Sequence, residues 1–174
     1  PSTKTSNLIY DAVAEFTTYM FMKMNYDNTY HFGTWQKGIR HNLSGINFLV
    51  VGSNGRIGSR VSRKMEELGL NVVRHDVANY YGDEEAAEDA LDELLKEADY
   101  VSLHVPLNDN TRDMLNFKRL DSMKHGACII NTSRAGLINE RDLLDILRVN
   151  DNKFKLAFDV WWKEPYYHER AFGL

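Results

Sequence analysis

The sequence is poor in cysteine and has no long hydrophobic run. Cys128 is the single cysteine in 174 residues, so no disulfide can form within the chain. It lies in the apolar run 127–130, which is typical of a small buried side chain and not of a nucleophile. No apolar run is long enough to span a bilayer, and no secretion signal is recognisable. We therefore expect a cytoplasmic protein without a membrane partner.

The chain also has no excess of positively charged residues. The net charge is −4, which gives no reason to expect nucleic acid or an anionic membrane as a partner. The acidic residues concentrate at 83–99, a pattern typical of a solvated helix face. His31 and His41 have no partner at the spacing of metal ligands, so we expect no metal site.

An alternation of apolar strands with helices is present instead. Hydrophobic residues make up 43% of the chain and charged residues 26%, as in an ordinary globular domain with its own core. Strands are predicted at 46–51, 72–73, 100–105, 127–131 and 154–160, and helices at 57–68, 83–96, 117–123 and 139–147. This alternation predicts the α/β class, a Rossmann-type doubly wound parallel sheet in a three-layer α/β/α arrangement.

A glycine-rich turn joins the first of these strands to its helix. Gly52, Gly55 and Gly58 end the strand, and Asp76 follows the second strand, 18 residues after Gly58. Glycine lets a pyrophosphate approach the backbone at a helix N-terminus, and the acid accepts hydrogen bonds from ribose hydroxyls and repels a 2′-phosphate. The unit therefore predicts binding of NAD, with Asp76 favouring it over NADP. The cofactor candidates in the turn are Gly52, Ser53, Asn54, Gly55, Arg56, Ile57 and Gly58.

The spacing of the three glycines departs from the usual G-x-G-x-x-G, because the chain has G-x-x-G-x-x-G at 52–58. Either the turn carries one extra residue, or Ser53 stands where the first glycine would be. Gly55 and Gly58 keep their usual separation, so the departure concerns only the first turn.

Other polar residues follow the later strands. In an open parallel sheet, ligands bind beyond the carboxyl ends of the strands. Arg134 lies there and can hold a carboxylate in bidentate fashion, or it can pair at the surface with Glu140 or Asp142. The further cofactor candidates beyond these strand ends are His104, Val105, Pro106, Thr111, Thr132, Ser133 and Asp159.

The order of these motifs resembles a known family. The glycine turn, Asp76, the segments 104–107 and 131–134, and the final segment 159–165 occur as in the nucleotide-binding domain of the D-isomer-specific 2-hydroxyacid dehydrogenases. The resemblance covers most of the chain. It implies hydride transfer between NAD(H) and a 2-oxo or D-2-hydroxy acid, with Arg134 binding the substrate carboxylate and carbonyl. It also implies that Glu164 hydrogen-bonds the catalytic histidine and that Asp159 contacts the nicotinamide carboxamide.

The chain departs from the family pattern at its end. The family's acid–base histidine follows the glutamate by roughly two dozen residues, and His168 lies too close to Glu164 to be that residue. We therefore expect a core lacking the family's last strands and its substrate domain, without useful turnover alone. A non-catalytic NAD(H)-sensing or corepressor-like module is the alternative, although a sensor has no need of Arg134 and Glu164.

The N-terminal part is treated separately from the nucleotide-binding domain. A helix is predicted at 7–24, which is apolar on most sides, while residues 1–6 are expected to be loose and 25–44 to be an irregular connection with one short helix near Trp35. We divide the chain into 1–44 and an NAD-binding domain at 45–174. The apolar helix needs burial, which a second copy or a missing domain supplies, and the resemblance implies a homodimer.

Overall fold

The computed structural model describes residues 3–26 and 42–163, with side chains described from Asn7 onward. The five strands are β1 (Asn47–Val51), β2 (Asn71–His75), β3 (Tyr100–Leu103), β4 (Ala127–Asn131) and β5 (Phe154–Phe158). The five α-helices are α1 (Thr3–Asn25), α2 (Gly58–Glu67), α3 (Glu84–Glu97), α4 (Phe117–Ser122) and α5 (Glu140–Val149). Short 3₁₀ turns occupy Val77–Tyr80 and Ala135–Leu137.

The strands form one parallel sheet in the order β2-β1-β3-β4-β5. The chain moves outward from β1 first to one side and then to the other, so the order reverses between β1 and β3, where open α/β sheets bind ligands. The strands also end in one row, in which Val51 pairs with His75 and Leu103, and Asn131 pairs with Leu103 and Phe158. The residues directly after the strands therefore leave the sheet side by side. They are Gly52, Asp76, His104, Thr132 and Asp159.

Helices cover both faces of the sheet. On one face Phe21 of α1 meets Phe48 and Tyr100 edge to face, and Met65 of α2 joins the same buried cluster. On the other face the buried leucines of α3, α4 and α5 pack against β1, β3 and β4. Burial on both faces explains why the central strands are continuously apolar. The three-layer α/β/α prediction is confirmed.

Several boundaries differ from the sequence-based ones. Residues 3–6 are helical, because neither glycine nor proline separates them from the predicted helix. Strand β3 ends at Leu103 and β5 at Phe158, two residues earlier than predicted, because the apolar pattern continues past the last ladder pair. The helix predicted at 139–147 begins after Asn139, whose side chain caps α5 by accepting a hydrogen bond from the Asp142 N–H.

Some sequence predictions fall outside the described residues. They concern the short helix near Trp35 and the residues His31, His41, Glu164 and His168. Among the helices that are described, none is long and apolar enough to cross a membrane.

Candidate functional site

Two cavities lie at the carboxyl edge of the sheet, on either side of the segment 104–106. The first measures about 500 Å³ and the second about 460 Å³. His104, Val105 and Pro106 line both of them. The first cavity also contains the candidates Gly52, Gly55, Asp76 and Thr111, and the second contains Ile57, Thr132, Ser133 and Arg134. The structure thus gathers most candidates from the sequence into one two-part cleft.

Gly52 makes the first turn of the glycine segment. Its φ is +85°, and a Cβ at this position would lie 2.6 Å from the carbonyl oxygen of His104. The N–H groups of Gly52 and Ser53 both donate to the His75 carbonyl, at 2.8 and 3.1 Å. The extra residue of the G-x-x-G spacing therefore lies between Gly52 and Gly55, and the side chain of Ser53 is buried beneath the turn.

Gly58 lets helix α2 start directly against this turn. A Cβ on Gly58 would collide with the Gly52 carbonyl oxygen. No side chain in the described part of the chain caps the N-terminus of α2. The Ser59 N–H donates to the Gly55 carbonyl at 3.0 Å, and the positive dipole end of the helix stays open to an anion. This N-terminus and its glycine turn fit a pyrophosphate. The Arg56 guanidinium instead turns toward α1, where Nη1 donates to the Tyr10 hydroxyl at 2.6 Å.

Asp76 stabilises its surroundings as well as lining the first cavity. Its Oδ2 accepts a hydrogen bond from the Asn54 N–H at 2.9 Å, and its Oδ1 accepts one from the Ala78 N–H at 3.1 Å. The carboxylate therefore joins the end of β2 to the glycine turn. Each oxygen keeps a further lone pair, so the group can still accept hydrogen bonds from a vicinal diol.

Two further acids line the first cavity and were missed in the sequence. Glu84 and Glu88 lie one turn apart on α3 and face the same space as Asp76. Glu88 is paired with Arg119, whereas Glu84 has no ion pair among the residues described. Their i, i+4 spacing was the available signal, but it is equally typical of a solvated helix face. Three carboxylates around one cavity disfavour an added phosphate group.

His104 separates the two cavities. Its Nε2 lies 2.7 Å from the Ser102 hydroxyl. One edge of the residue is open to the cleft, but the imidazole is enclosed by protein, and this burial lowers the pKa of His104 to about 4. The ring is therefore neutral at physiological pH, and it contributes a hydrogen-bonding surface without a charge.

The loop after β3 is fixed by Thr111. Its hydroxyl donates to the Pro106 carbonyl at 2.6 Å and accepts from the Asn108 N–H at 2.9 Å. These two bonds close the segment 106–111 at the rim of the first cavity. Thr111, a cofactor candidate from the sequence, thus shapes the wall of the first cavity.

Asn131, the last residue of β4, shapes the loop that carries Arg134. The buried amide of Asn131 accepts from the Ser133 N–H at 3.0 Å and donates to the Arg134 carbonyl at 2.9 Å. The Ser133 hydroxyl donates to the Val105 carbonyl at 2.7 Å. This loop is consequently fixed to both β4 and the segment after β3.

The guanidinium of Arg134 lines the second cavity and is exposed. Within residues 3–26 and 42–163 no carboxylate pairs with it, so the surface pairs with Glu140 or Asp142 do not form. Asp142 instead accepts a hydrogen bond from the Phe117 N–H at 2.8 Å. Arg134 can therefore take an external carboxylate at the mouth of the cavity.

Asp159 differs from its neighbours in the row because it lines neither cavity. Its backbone N–H donates to the Asn131 carbonyl at 3.0 Å, but its side chain is exposed and does not line the second cavity. Glu164 lies outside the described residues. Among the residues that are described, no three His, Cys, Asp or Glu side chains converge in a way that would hold a metal ion.

Comparison with known proteins gives one consistent family. The chain matches the D-isomer specific 2-hydroxyacid dehydrogenase, NAD binding domain, over residues 19–173. It is 36% identical over 145 residues to D-3-phosphoglycerate dehydrogenase of Methanocaldococcus jannaschii, covering 76% of this chain and 26% of the relative. It is 32% identical over 154 residues to glyoxylate reductase of Thermococcus litoralis, covering 82% and 46%.

A solved structure agrees with these relatives. D-lactate dehydrogenase from Aquifex aeolicus, complexed with NAD and lactic acid, superposes with a TM-score of 0.73 at 30% identity, covering 88% of this chain and 49% of that one. The chain thus spans about half or less of the length of the proteins it matches. Because the family match covers most of the chain, the chain belongs to the D-isomer-specific 2-hydroxyacid dehydrogenase family and forms its NAD-binding domain.

Proposed function

We propose that the two cavities together bind NAD(H), the first taking the adenosine half and the second the nicotinamide half. The observation that carries this proposal is the row of strand ends, which brings the glycine turn, Asp76, His104 and Thr132 to one edge of the sheet. The cradle suits the cofactor because Gly52, Gly55 and Gly58 leave no side chain where the pyrophosphate would approach.

We further propose that the whole protein transfers a hydride between NAD(H) and a 2-oxo or D-2-hydroxy acid. The dinucleotide supplies the hydride chemistry when it is bound. The chain's own residues bind and orient the reactants, and Arg134 holds the substrate carboxylate. The family resemblance implies that Asp159 contacts the nicotinamide carboxamide and that Glu164 hydrogen-bonds the catalytic histidine. The Arg134 guanidinium donates to the Ser133 carbonyl at 2.7 Å but has no carboxylate partner among the described residues, which supports an enzyme over a sensor, since a sensor has no substrate acid to hold.

Replacing Arg134 tests the enzymatic role. In the full-length protein, Arg134→Met removes the bidentate donor, so kcat/KM for the 2-oxo acid should fall by at least about 100-fold, the worth of a charged hydrogen-bonded pair. The dissociation constant of NADH should stay within about two-fold, since Arg134 lies at the cavity mouth. Arg141→Met, an exposed arginine on α5, is the matched control and should change neither value. Turnover that survives in Arg134→Met would show that Arg134 does not hold the substrate carboxylate.

We also propose a homodimer that forms through α1, in the cytoplasm. Leu8, Ile9 and Tyr19 are 70%, 58% and 57% exposed on this helix, although its opposite side is buried against the sheet. An apolar helix face of this kind is covered in stable assemblies. The single buried cysteine suits a reducing compartment.

A further inference from the structure

Helix α1 reaches the second cavity through one pair of hydroxyl groups. Thr17, whose side chain is completely buried, has its Oγ1 3.1 Å from the Oγ1 of Thr132. Thr132 is the first residue after β4 and lines the second cavity. The two residues are 115 positions apart in the chain, so this contact exists only in the folded domain.

The direction of this hydrogen bond follows from the other partner of Thr17. The same Oγ1 lies 2.9 Å from the Val13 carbonyl oxygen, which can only accept. A threonine hydroxyl has one proton, and Thr17 uses it for Val13. The bond between the two threonines is therefore donated by Thr132 and accepted by Thr17. Once it is formed, any further partner of the Thr132 oxygen must be a hydrogen-bond donor.

Between a 2-oxo acid and the nicotinamide, only the nicotinamide supplies such a donor. The carboxylate and oxo groups of a 2-oxo acid only accept hydrogen bonds, and Arg134 on the same cavity wall suits them. The carboxamide of nicotinamide carries an NH₂ group that donates. This step rests on the proposed function, because it places the nicotinamide half in the second cavity.

We propose that Thr17 is a positioning residue, which holds the Thr132 hydroxyl as an acceptor for the nicotinamide carboxamide N–H. A residue of α1 then sets the hydrogen-bond polarity of a cavity formed by the sheet edge. Thr132 contacts the cofactor directly, and Thr17 acts only through Thr132.

The test compares NADH with reduced 3-acetylpyridine adenine dinucleotide, in which a methyl group replaces the NH₂ of the carboxamide. Calorimetric titration of the unaltered chain should give tighter binding of NADH, with about five-fold of the preference coming from the neutral hydrogen bond to Thr132. Thr132→Val should therefore lower the ratio of the two dissociation constants about five-fold. Thr17→Val should lower the ratio about two-fold, since Thr132 is then free to turn, and Thr17→Ser, which keeps the hydroxyl, should restore it.

Thr18→Val is the matched control. The Thr18 hydroxyl makes the same bond one residue on, to the Ala14 carbonyl at 2.8 Å, without a partner on Thr132. The Thr18→Val variant should leave the ratio of the two dissociation constants unchanged, which distinguishes loss of the Thr132 contact from a general effect on α1. Urea unfolding of each variant identifies a loss of fold, and Thr17→Ala, which also lacks the hydroxyl, replaces Thr17→Val if that variant unfolds.

The outcomes separate this inference from the proposed function. If the unaltered chain binds neither dinucleotide, the proposed function is wrong and the inference falls with it. If NADH binds but Thr132→Val keeps the full preference for NADH, the cofactor site stands and only the role of Thr132 is overturned. If Thr132→Val loses the preference while Thr17→Val keeps it, Thr17 does not position Thr132.

Discussion

At the residue scale, the cleft depends on glycines that leave no room for a side chain. Gly52 and Gly69 have the same φ of +85°, but a Cβ on Gly52 would press on the His104 backbone, whereas one on Gly69 would meet nothing within 4 Å. Alanine substitution at these two glycines therefore distinguishes the destabilisation caused by a left-handed backbone from the destabilisation caused by a steric contact. No other pair of glycines in the described residues combines equal φ with such different surroundings.

We predict that Gly52→Ala destabilises the chain far more than Gly69→Ala. The Gly69 variant should lose about 1 kcal/mol of unfolding free energy, from the left-handed conformation alone. The Gly52 variant should lose at least about 2 kcal/mol more, because the obstructing atom belongs to the backbone and cannot rotate away. Urea unfolding measures both. Equal losses would mean that the contact between the turn and the segment after β3 is loose.

At the element scale, a buried arginine holds α3 against α4. The Nε of Arg119 donates to Asp92 at 2.6 Å, its Nη1 donates to the Met114 carbonyl at 2.8 Å, and its Nη2 pairs with Glu88. Glu88 also lines the first cavity. The position of one cavity wall therefore depends on an ion pair that lies behind it.

We predict that Arg119→Met costs about 3 kcal/mol of unfolding free energy, because it leaves the Met114 carbonyl without its side-chain donor and Asp92 with only the exposed Lys118 as a partner. Lys118→Met is the control: Lys118 also pairs with Asp92, but its side chain is 82% exposed, so it should cost less than about 1 kcal/mol. Equal costs for the two variants would show that burial of Arg119 does not matter.

The ion pairs of Arg119 and Asp92 make the stability of the chain depend on pH in the acid range. Burial acts to raise the pKa of Asp92, but hydrogen bonds from Lys118 and Arg119 outweigh it and hold the pKa below its ordinary value of 3.8. The native state thus keeps Asp92 ionised where the unfolded state takes up a proton. The contribution of Asp92 to the unfolding free energy is therefore complete above pH 3.8, and it is lost as the pH falls through the lower pKa of the native state. In Arg119→Met this acid-labile part should be smaller, as unfolding curves between pH 5 and pH 3 would show.

At the scale of the whole molecule, the sequence predicted the sheet and most of the cleft. The strands were recognisable as apolar runs because both faces of the sheet are buried. The residues that follow the strands were recognisable as site candidates because the strand ends line up in a parallel sheet. The sequence alone accordingly predicts the places of Gly52, Asp76, His104 and Thr132 at the sheet edge. The side chain of Asp159 is the exception in this row, since it is exposed and lines neither cavity.

Contacts between distant elements were not predictable. Glu84 and Glu88 read as part of an acidic helix surface, and only the packing of α3 turns them toward the first cavity. The meeting of Thr17 with Thr132 depends on how α1 lies across the sheet, which no local pattern specifies. The extra residue of the glycine turn was visible, but its position between Gly52 and Gly55 required the backbone conformation.

The most direct measurement is a fluorescence titration of the chain with NADH and with NADPH, following energy transfer from Trp161 and Trp162 to the nicotinamide. Asp76, Glu84 and Glu88 surround the first cavity, and their repulsion of a 2′-phosphate predicts saturable NADH binding at least about ten-fold tighter than NADPH binding. Equal binding of the two would contradict the carboxylate-lined adenosine site, and the absence of saturable binding for both would contradict the cofactor cleft itself.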